Sequence, residues 1–261
     1  MNIAVCIKQV PASSVQMDKS QGVLMRSMAG GVINPWDLYA VESALQIAEK
    51  TNGVVTAISM GPASAEQAIR YVIAMGVQKG VLMCDDAFAG SDVYATAFTL
   101  SQGLKVNGEF DLIICGQQTT DGDTSQLPFS LATQMNIPAI GWVKKIESAT
   151  DTAITVLQEL SGGTQKSKCT YPAVVVVGRE VAQPRIPNLK NKLNAKNAPV
   201  KRLGLADLPH SDAKMYGSAS SPTQVVRVYE NNIDAKSELL RMSGQETALH
   251  LLKELECAKH E

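Results

Sequence analysis

Short apolar runs alternate with helical patterns through the first 140 or so residues of this chain, and that alternation leaves few folds open. Residues 2–9 are mostly apolar, as a strand buried on both faces would be. Similar runs lie at 54–60, where Gly61-Pro62 closes the strand, at 79–84, at 112–115 and around 140–143. Between them lie helical stretches. The first opens at Asn34-Pro35-Trp36-Asp37, with Asn34 as N-cap and Pro35 at the first helical position, and its apolar stripe is Val41, Ala44, Leu45 and Ala48. The second covers 64–75 and stops at Gly76. The third covers 91–106, capped by Ser91 or Asp92, and the fourth ends near Asn136-Ile137-Pro138. This order predicts an α/β fold: a doubly wound, mostly parallel, Rossmann-like sheet covered on both faces.

The rest is less regular. Residues 10–33 lack a period and read as a long irregular loop, which is uncommon unless functional. Residues 152–159 and 166–177 read as paired strands with a turn at Ser161-Gly162-Gly163. From Arg179 to Lys201 the chain is rich in Pro, Asn and Lys, as a solvated linker or a docking loop would be. Residues 236–257 then form an amphipathic helix carrying Leu239, Leu240, Ala248, Leu251, Leu252 and Leu255. Two regions are therefore expected: a nucleotide-binding α/β domain over 1–185, and over 186–261 a docking loop and C-terminal extension. An extension without its own core is expected to embrace a partner subunit.

Composition excludes several classes. The net charge of −1 gives no electrostatic case for nucleic acid or an anionic membrane. No apolar run reaches the ~18 residues of a membrane span. The N-terminus reads as a first strand rather than a signal. The five cysteines are scattered and read as buried thiols of a reducing compartment, so a cytoplasmic protein is expected. The three histidines all lie near the C-terminus, which speaks against a zinc site.

The segment 110–129, FDLIICGQQTTDGDTSQLPF, carries the most chemistry. Its apolar run ends at Gly116, and a loop dense in donors and acceptors leads into a helix. Thr124 and Ser125 can cap that helix. Free N–H groups at Gly116, Gln117, Gln118, Thr124 and Ser125 suit an anion such as phosphate, and Asp121 or Asp123 suits ribose hydroxyls. The pattern is neither GxGxxG nor a Walker loop, so spacing alone also allows a polar surface loop with a good N-cap. No catalytic acid, base or nucleophile constellation accompanies it.

The loop GQQTTDGDTSQ resembles the AMP- or FAD-cradling loop of the electron transfer flavoprotein beta subunits. The similarity runs from residue 1 to about 200, in family order: IAVCIKQVP, INPWDLYAVESAL, SMGPASAEQAIRYVIAMG, FAGSDVYATAFTL, then YPAVVVV followed by QPRIPNLK. Two departures stand out. Relatives usually carry Gly-Pro shortly after the glutamine, where this chain has Gln126-Leu127-Pro128. Near the double glycine, where the family commonly has a basic residue and an acid, this chain has Gln158 and Ser161.

The resemblance implies a heterodimer with an alpha subunit that carries the FAD exchanging electrons with an acyl-CoA dehydrogenase or similar flavin dehydrogenase. It implies cofactor contacts at Cys6, Asn34, Pro35, Trp36, Asp37 and Met60, and along Gly116, Gln117, Gln118, Thr119, Thr120, Asp121, Gly122, Asp123, Thr124, Ser125, Gln126 and Leu127. It places partner docking at Pro184, Arg185, Ile186, Pro187 and Leu189. One type in the family holds AMP in the beta subunit. The other holds FAD, accepts hydride from NADH and splits the electron pair. GVLMRSMAGGVINPWD and FAGSDVYATAFTL look like the second type. FAD is therefore the expected cofactor, AMP the alternative and NADH a possible donor, with Arg26, Gly90, Asp92 and Thr96 as candidates on the NADH side. A universal-stress-like nucleotide sensor is the rival from another class. An ATP-pyrophosphatase-like enzyme would need a phosphate loop where Lys8-Gln9-Val10-Pro11 stands.

Overall fold

The computed structural model describes residues 1–12, 17–18, 23–24, 31–226 and 239–257. The chain opens with β1 (Asn2–Cys6), β2 (Gln9–Pro11), β3 (Met17–Asp18), β4 (Val23–Leu24) and β5 (Gly31–Ile33). β2 pairs with β5, and β3 with β4, both antiparallel. The segment expected to be an irregular loop thus carries two small ladders. Arg26 lies outside the described residues.

Regular alternation follows: α1 (Pro35–Thr51), β6 (Val54–Met60), α2 (Glu66–Met75), β7 (Lys79–Met83), α3 (Val93–Val106), β8 (Leu112–Gly116), α4 (Leu127–Met135) and β9 (Ala139–Ala149). Then come β10 (Ala153–Leu160), β11 (Gly163–Thr170), β12 (Ala173–Val177), α5 (Leu189–Lys196), β13 (Val200–Leu203) and α6 (Gly217–Ser220). Nine strands form one sheet in the order β11-β10-β9-β12-β8-β1-β6-β7-β13. Only the β9-β10-β11 meander is antiparallel. The doubly wound α/β expectation holds.

Each strand's alternation decides which helices it meets. Ile3, Val5, Leu112 and Ile114 face the layer of α1 and α2. Ala4, Cys6, Ile113 and Cys115 face α3 and α4. Burying a Val, Leu or Ile side chain contributes about 1.5–3 kcal/mol, so a one-residue slip that turned these positions over would be heavily penalised. From β1 the chain winds outward through β6 and β7, then returns to place β8 on the other side of β1. The sheet therefore has its topological switch point between β1 and β8, where the crevice at the strand carboxyl ends receives ligands.

Two expectations are corrected here. Residues 166–177 are not one strand paired with 152–159. Pro172 has no N–H to continue the ladder, and the run breaks at Tyr171-Pro172. β11 stays with β10, while the all-buried AVVVV of β12 inserts between β8 and β9 as a parallel strand. Residues 179–201 are also more than a linker. They carry α5, which Asn188 caps by accepting the Asn191 N–H, and β13, which extends the sheet edge beside β7. The first compact unit therefore runs from Met1 to Arg227 and includes residues 186–226, which the sequence pattern placed in the extension.

The second unit covers Val228–Glu261. Its described part holds α7 (Gly244–Cys257), shorter than the expected 236–257. Ser243 and Glu246 set its start as a reciprocal capping pair, with Ser243 Oγ accepting the Glu246 N–H at 3.4 Å and Glu246 Oε2 accepting the Ser243 N–H at 3.0 Å. Leu239 precedes the helix. Leu249, Leu251, Leu252 and Leu255 are exposed on it. No helix among the described residues is long and apolar enough to cross a membrane.

Candidate functional site

Three chain segments meet at the β1/β8 switch point, and Asn34 ties them together. It stands at the N-cap of α1 with Pro35 behind it, as expected, yet its side chain makes no cap bond. Its Nδ2 donates instead to Asp37 Oδ1 at 2.9 Å and to the Gln118 carbonyl at 2.9 Å, while its Oδ1 accepts the Thr120 N–H at 3.4 Å. The Asn34 N–H donates to the Lys8 carbonyl at 2.8 Å, and the Lys8 N–H donates to Asp37 Oδ2 at 2.7 Å. Gly116 is required by this closeness. A Cβ there would lie 2.6 Å from Asp37 Oδ1 and 2.8 Å from the Trp36 carbonyl carbon.

The loop after β8 is anchored at its start, where the Gln117 N–H donates to the Val177 carbonyl at 3.1 Å. Asp123 and Ser125 both adopt left-handed backbone, at φ 46° and 55°. Such conformations in residues other than glycine cost about 1–3 kcal/mol and persist only where the surroundings impose them. Left-handed turns at alternate residues bring successive N–H groups to one side, the geometry of an anion nest. Among the described residues, the N–H groups of Thr124, Ser125 and Gln126 have no protein acceptor. One expectation fails here: neither Thr124 nor Ser125 caps α4. Its N-cap is Gln126, without a side-chain cap bond, because Pro128 sets the first turn and the left-handed Ser125 turns away from the cap position. The hydroxyls of Thr124 and Ser125 are left free of that duty.

Lys8 was not singled out from the sequence. Its Nζ reaches both Asp121 oxygens, at 2.8 and 2.7 Å, and bridges the end of β1 to the loop. Burial pushes the Asp121 carboxyl up, but the bonded Lys8 ammonium outweighs it and holds that carboxyl below the usual carboxylate range. Asp37 behaves differently. Complete burial pushes it up to about 7, against the bonds from Asn34 and the Lys8 N–H. The hydrogen bond with Cys6 and burial together raise the Cys115 thiol well above its ordinary value. Cys6 and Cys115 lie opposite each other on β1 and β8, with both side chains in the core. Met60 ends β6, half-buried, next but one to β8.

Beside the loop opens a cavity of 760 Å³, lined by Trp36, Gln117, Trp142, Lys144, Glu159 and Arg179 among others. Trp142 holds a left-handed φ of 56° and is 46% exposed. A bulky residue kept there within a strand is an outlier of the kind that gathers at binding sites. Sequence reading missed this wall because β9 looked like an ordinary core strand.

Other expected residues lie elsewhere. Asp92 caps α3 by accepting the Ala95 N–H at 3.0 Å, and its second oxygen accepts the Thr223 N–H at 2.9 Å. Gly90 packs under Ser218, and the Thr96 N–H bonds the Asp92 carbonyl. All three sit at the start of α3, after β7; Asp92 and Gly90 bond to Thr223 and Ser221, Thr96 bonds within its own helical turn, and among the described residues none of the three bonds to the loop. Pro184 and Arg185 are half-buried and Pro187 is buried, whereas Ile186 and Leu189 are 87% and 73% exposed. Arg185 is held from within, by Glu42 at 2.8 Å and Glu49 at 2.6 Å on α1. No cluster that could hold a metal ion occurs among the described residues. The N–H groups of the loop are of a kind that suits an anion. Asp37, the site's one titratable carboxylate near neutrality, has both oxygens engaged.

Comparison with known proteins finds one family. A family model, electron transfer flavoprotein domain, matches residues 21–208. The electron transfer flavoprotein subunit beta of Thermoanaerobacterium thermosaccharolyticum is 37% identical over 98% of both chains. Protein FixA of Sinorhizobium fredii is 34% identical over 88% of this chain and 83% of its own length. A caffeyl-CoA reductase-Etf complex subunit, CarD, of Acetobacterium woodii is 31% identical over 92% of both chains.

Proposed function

Because the chain belongs to the electron transfer flavoprotein family, as a beta subunit, we propose that it binds FAD in the crevice at the β1/β8 switch point and passes electrons from NADH toward the flavin of an alpha subunit. The observation that carries the binding site is the Asn34-tethered loop, with its free N–H groups at Thr124, Ser125 and Gln126. These donors fit a nucleotide phosphate, and the exposed Asp123, whose carboxylate has no partner among the described residues, suits a ribose hydroxyl. The contacting set runs from Gly116 to Leu127, with Asn34 and Asp37 as its support and Cys6 and Met60 flooring the crevice. FAD, when bound, supplies the redox chemistry, and the chain's part is to bind and orient it.

The cavity beside the loop supports FAD over AMP. A mononucleotide needs the cradle alone, whereas 760 Å³ next to it falls within the ~300–1,000 Å³ of small-molecule pockets. Trp36 and Trp142 offer aromatic faces to a ring there. That room lies at β9 and β12. Ile186 and Leu189, with the exposed Leu193, provide apolar anchors for a partner flavin dehydrogenase, and the Arg185–Glu42–Glu49 clamp orients them. The leucines of α7 are the surface for the alpha subunit. The test is the nucleotide content of the purified heterodimer together with its bleaching by NADH. Two FAD per heterodimer and rapid bleaching are expected. One FAD with one AMP, and no response to NADH, overturns the FAD reading and leaves AMP as the ligand.

A further inference from the structure

Every polar group of Lys8 is engaged: its N–H reaches Asp37 and its carbonyl takes the Asn34 N–H, both at the start of α1, and its Nζ chelates Asp121 of the loop. Its side chain remains 43% exposed, and that of Asp121 14%. Among the described residues it is the one cation bonded to the loop between Gly116 and Leu127. A carboxylate in a phosphate-binding loop repels its ligand unless it is neutralised. Asp121 stands two residues before the left-handed Asp123 and four before Ser125, and Lys8 is what neutralises it.

We propose that Lys8 is the phosphate-binding cation of this site and that Asp121 holds it in reserve. The ion pair closes the crevice before a ligand arrives. An incoming nucleotide phosphate then takes the Lys8 ammonium, and Asp121 turns to solvent or to a ribose hydroxyl. The backbone bonds of Lys8 to Asp37 and Asn34 do not depend on its side chain, so the lysine stays in place through the exchange. A partly exposed ammonium suits this exchange better than a guanidinium, because it is a compact point charge on a flexible stem. This proposal rests on the nucleotide reading above and adds the residue that recognises the phosphate.

The experiment uses the full chain freed of copurified nucleotide, with AMP and adenosine as probes in calorimetric titration. AMP carries the half that FAD and AMP share, and adenosine lacks only the phosphate. Wild type is expected to bind AMP at least tenfold more tightly than adenosine. Lys8→Met is expected to weaken AMP by about tenfold to hundredfold, the loss of one charge-assisted contact, and to leave adenosine within about threefold. Asp121→Asn, which releases Lys8 and removes a repelling charge, is expected to tighten AMP several-fold. If Lys8→Met weakens both probes equally, or Asp121→Asn weakens AMP, the pair merely braces the loop and the exchange is refuted. If wild type binds neither probe, the nucleotide reading itself falls, and the exchange with it.

Discussion

Asp37→Asn tests whether a buried carboxyl beneath the loop is protonated near neutrality. Burial raises the Asp37 carboxyl from an ordinary 3.8 to about 7. Between those values the folded chain holds a proton that the unfolded chain has released. Stability must therefore fall as pH rises from about 4 to about 7, by roughly 1.4 kcal/mol per pH unit, and level off above. The full loss is on the order of 4 kcal/mol, a large part of the ~5–15 kcal/mol that keeps a domain folded. The carboxylates at Asp121, Glu42, Glu66 and Asp92 are lowered in the fold, so their contribution is lost on acidification instead. They are shared by both proteins and largely cancel in a comparison. Asparagine at 37 keeps an oxygen for the Lys8 N–H but sets an amide against Asn34 Nδ2, which costs about 1–3 kcal/mol at low pH. The variant should therefore begin less stable at pH 4, gain on the wild type through pH 7, and then hold a constant difference. Urea unfolding at pH 4, 5, 6, 7 and 8 measures it. A difference that stays constant within about 0.5 kcal/mol across that range would mean that Asp37 titrates as an ordinary carboxylate, and the reasoning would be refuted.

Other outcomes follow from the same geometry. Ser125→Val forces a β-branched residue into φ 55° and crowds the free N–H groups, so nucleotide should be lost along with about 1–2 kcal/mol of stability; Ser125→Gly, which relaxes that backbone, should keep it, and equal retention after dialysis would contradict the nest. Arg185→Ala leaves the buried Glu42 with only Gln46 and the backbone N–H of residue 185 and should cost about 2–3 kcal/mol by urea unfolding, with part recovered in the Arg185→Ala, Glu42→Gln double variant; no recovery would count against the ion-pair account. Deleting residues 228–261 should leave the first unit folded, with its circular dichroism intact, but unable to copurify one-to-one with an alpha subunit; continued copurification would remove the clasp role from α7.

Much of the fold was legible because its signals are local. Apolar strands of five to seven residues, each followed by an N-cap or a proline and then a helical stripe, are readable one at a time. The loop after β8 was legible for the same reason, since a polar stretch after a buried strand stands out. Three elements were read differently. From the sequence β12 reads as a continuation of β11, because nothing in a valine run says which neighbour it will pair with and only Pro172 hints at a break. β13 was hidden in a basic stretch because an edge strand packs one flank only and needs little apolar pattern. α7 began later than expected because the Ser243 and Glu246 pair outweighed the leucines before it.

The residues of the site divide in the same way. The sequence by itself determined that an α/β sheet would form, that a donor-rich loop would follow its fourth long strand, and that Asn34 would stand at a helix start. Only the tertiary structure decided that Asn34 would spend its amide on Gln118 and Asp37 rather than on its own helix, and that Lys8 would close on Asp121 across 113 residues of sequence. The same holds for the wall that Trp142 builds with Trp36. The physical reason is range. Caps, turns and apolar periods are fixed by neighbours within a few residues, whereas burial, ion pairing and the shape of a crevice depend on which strands the chain brings side by side.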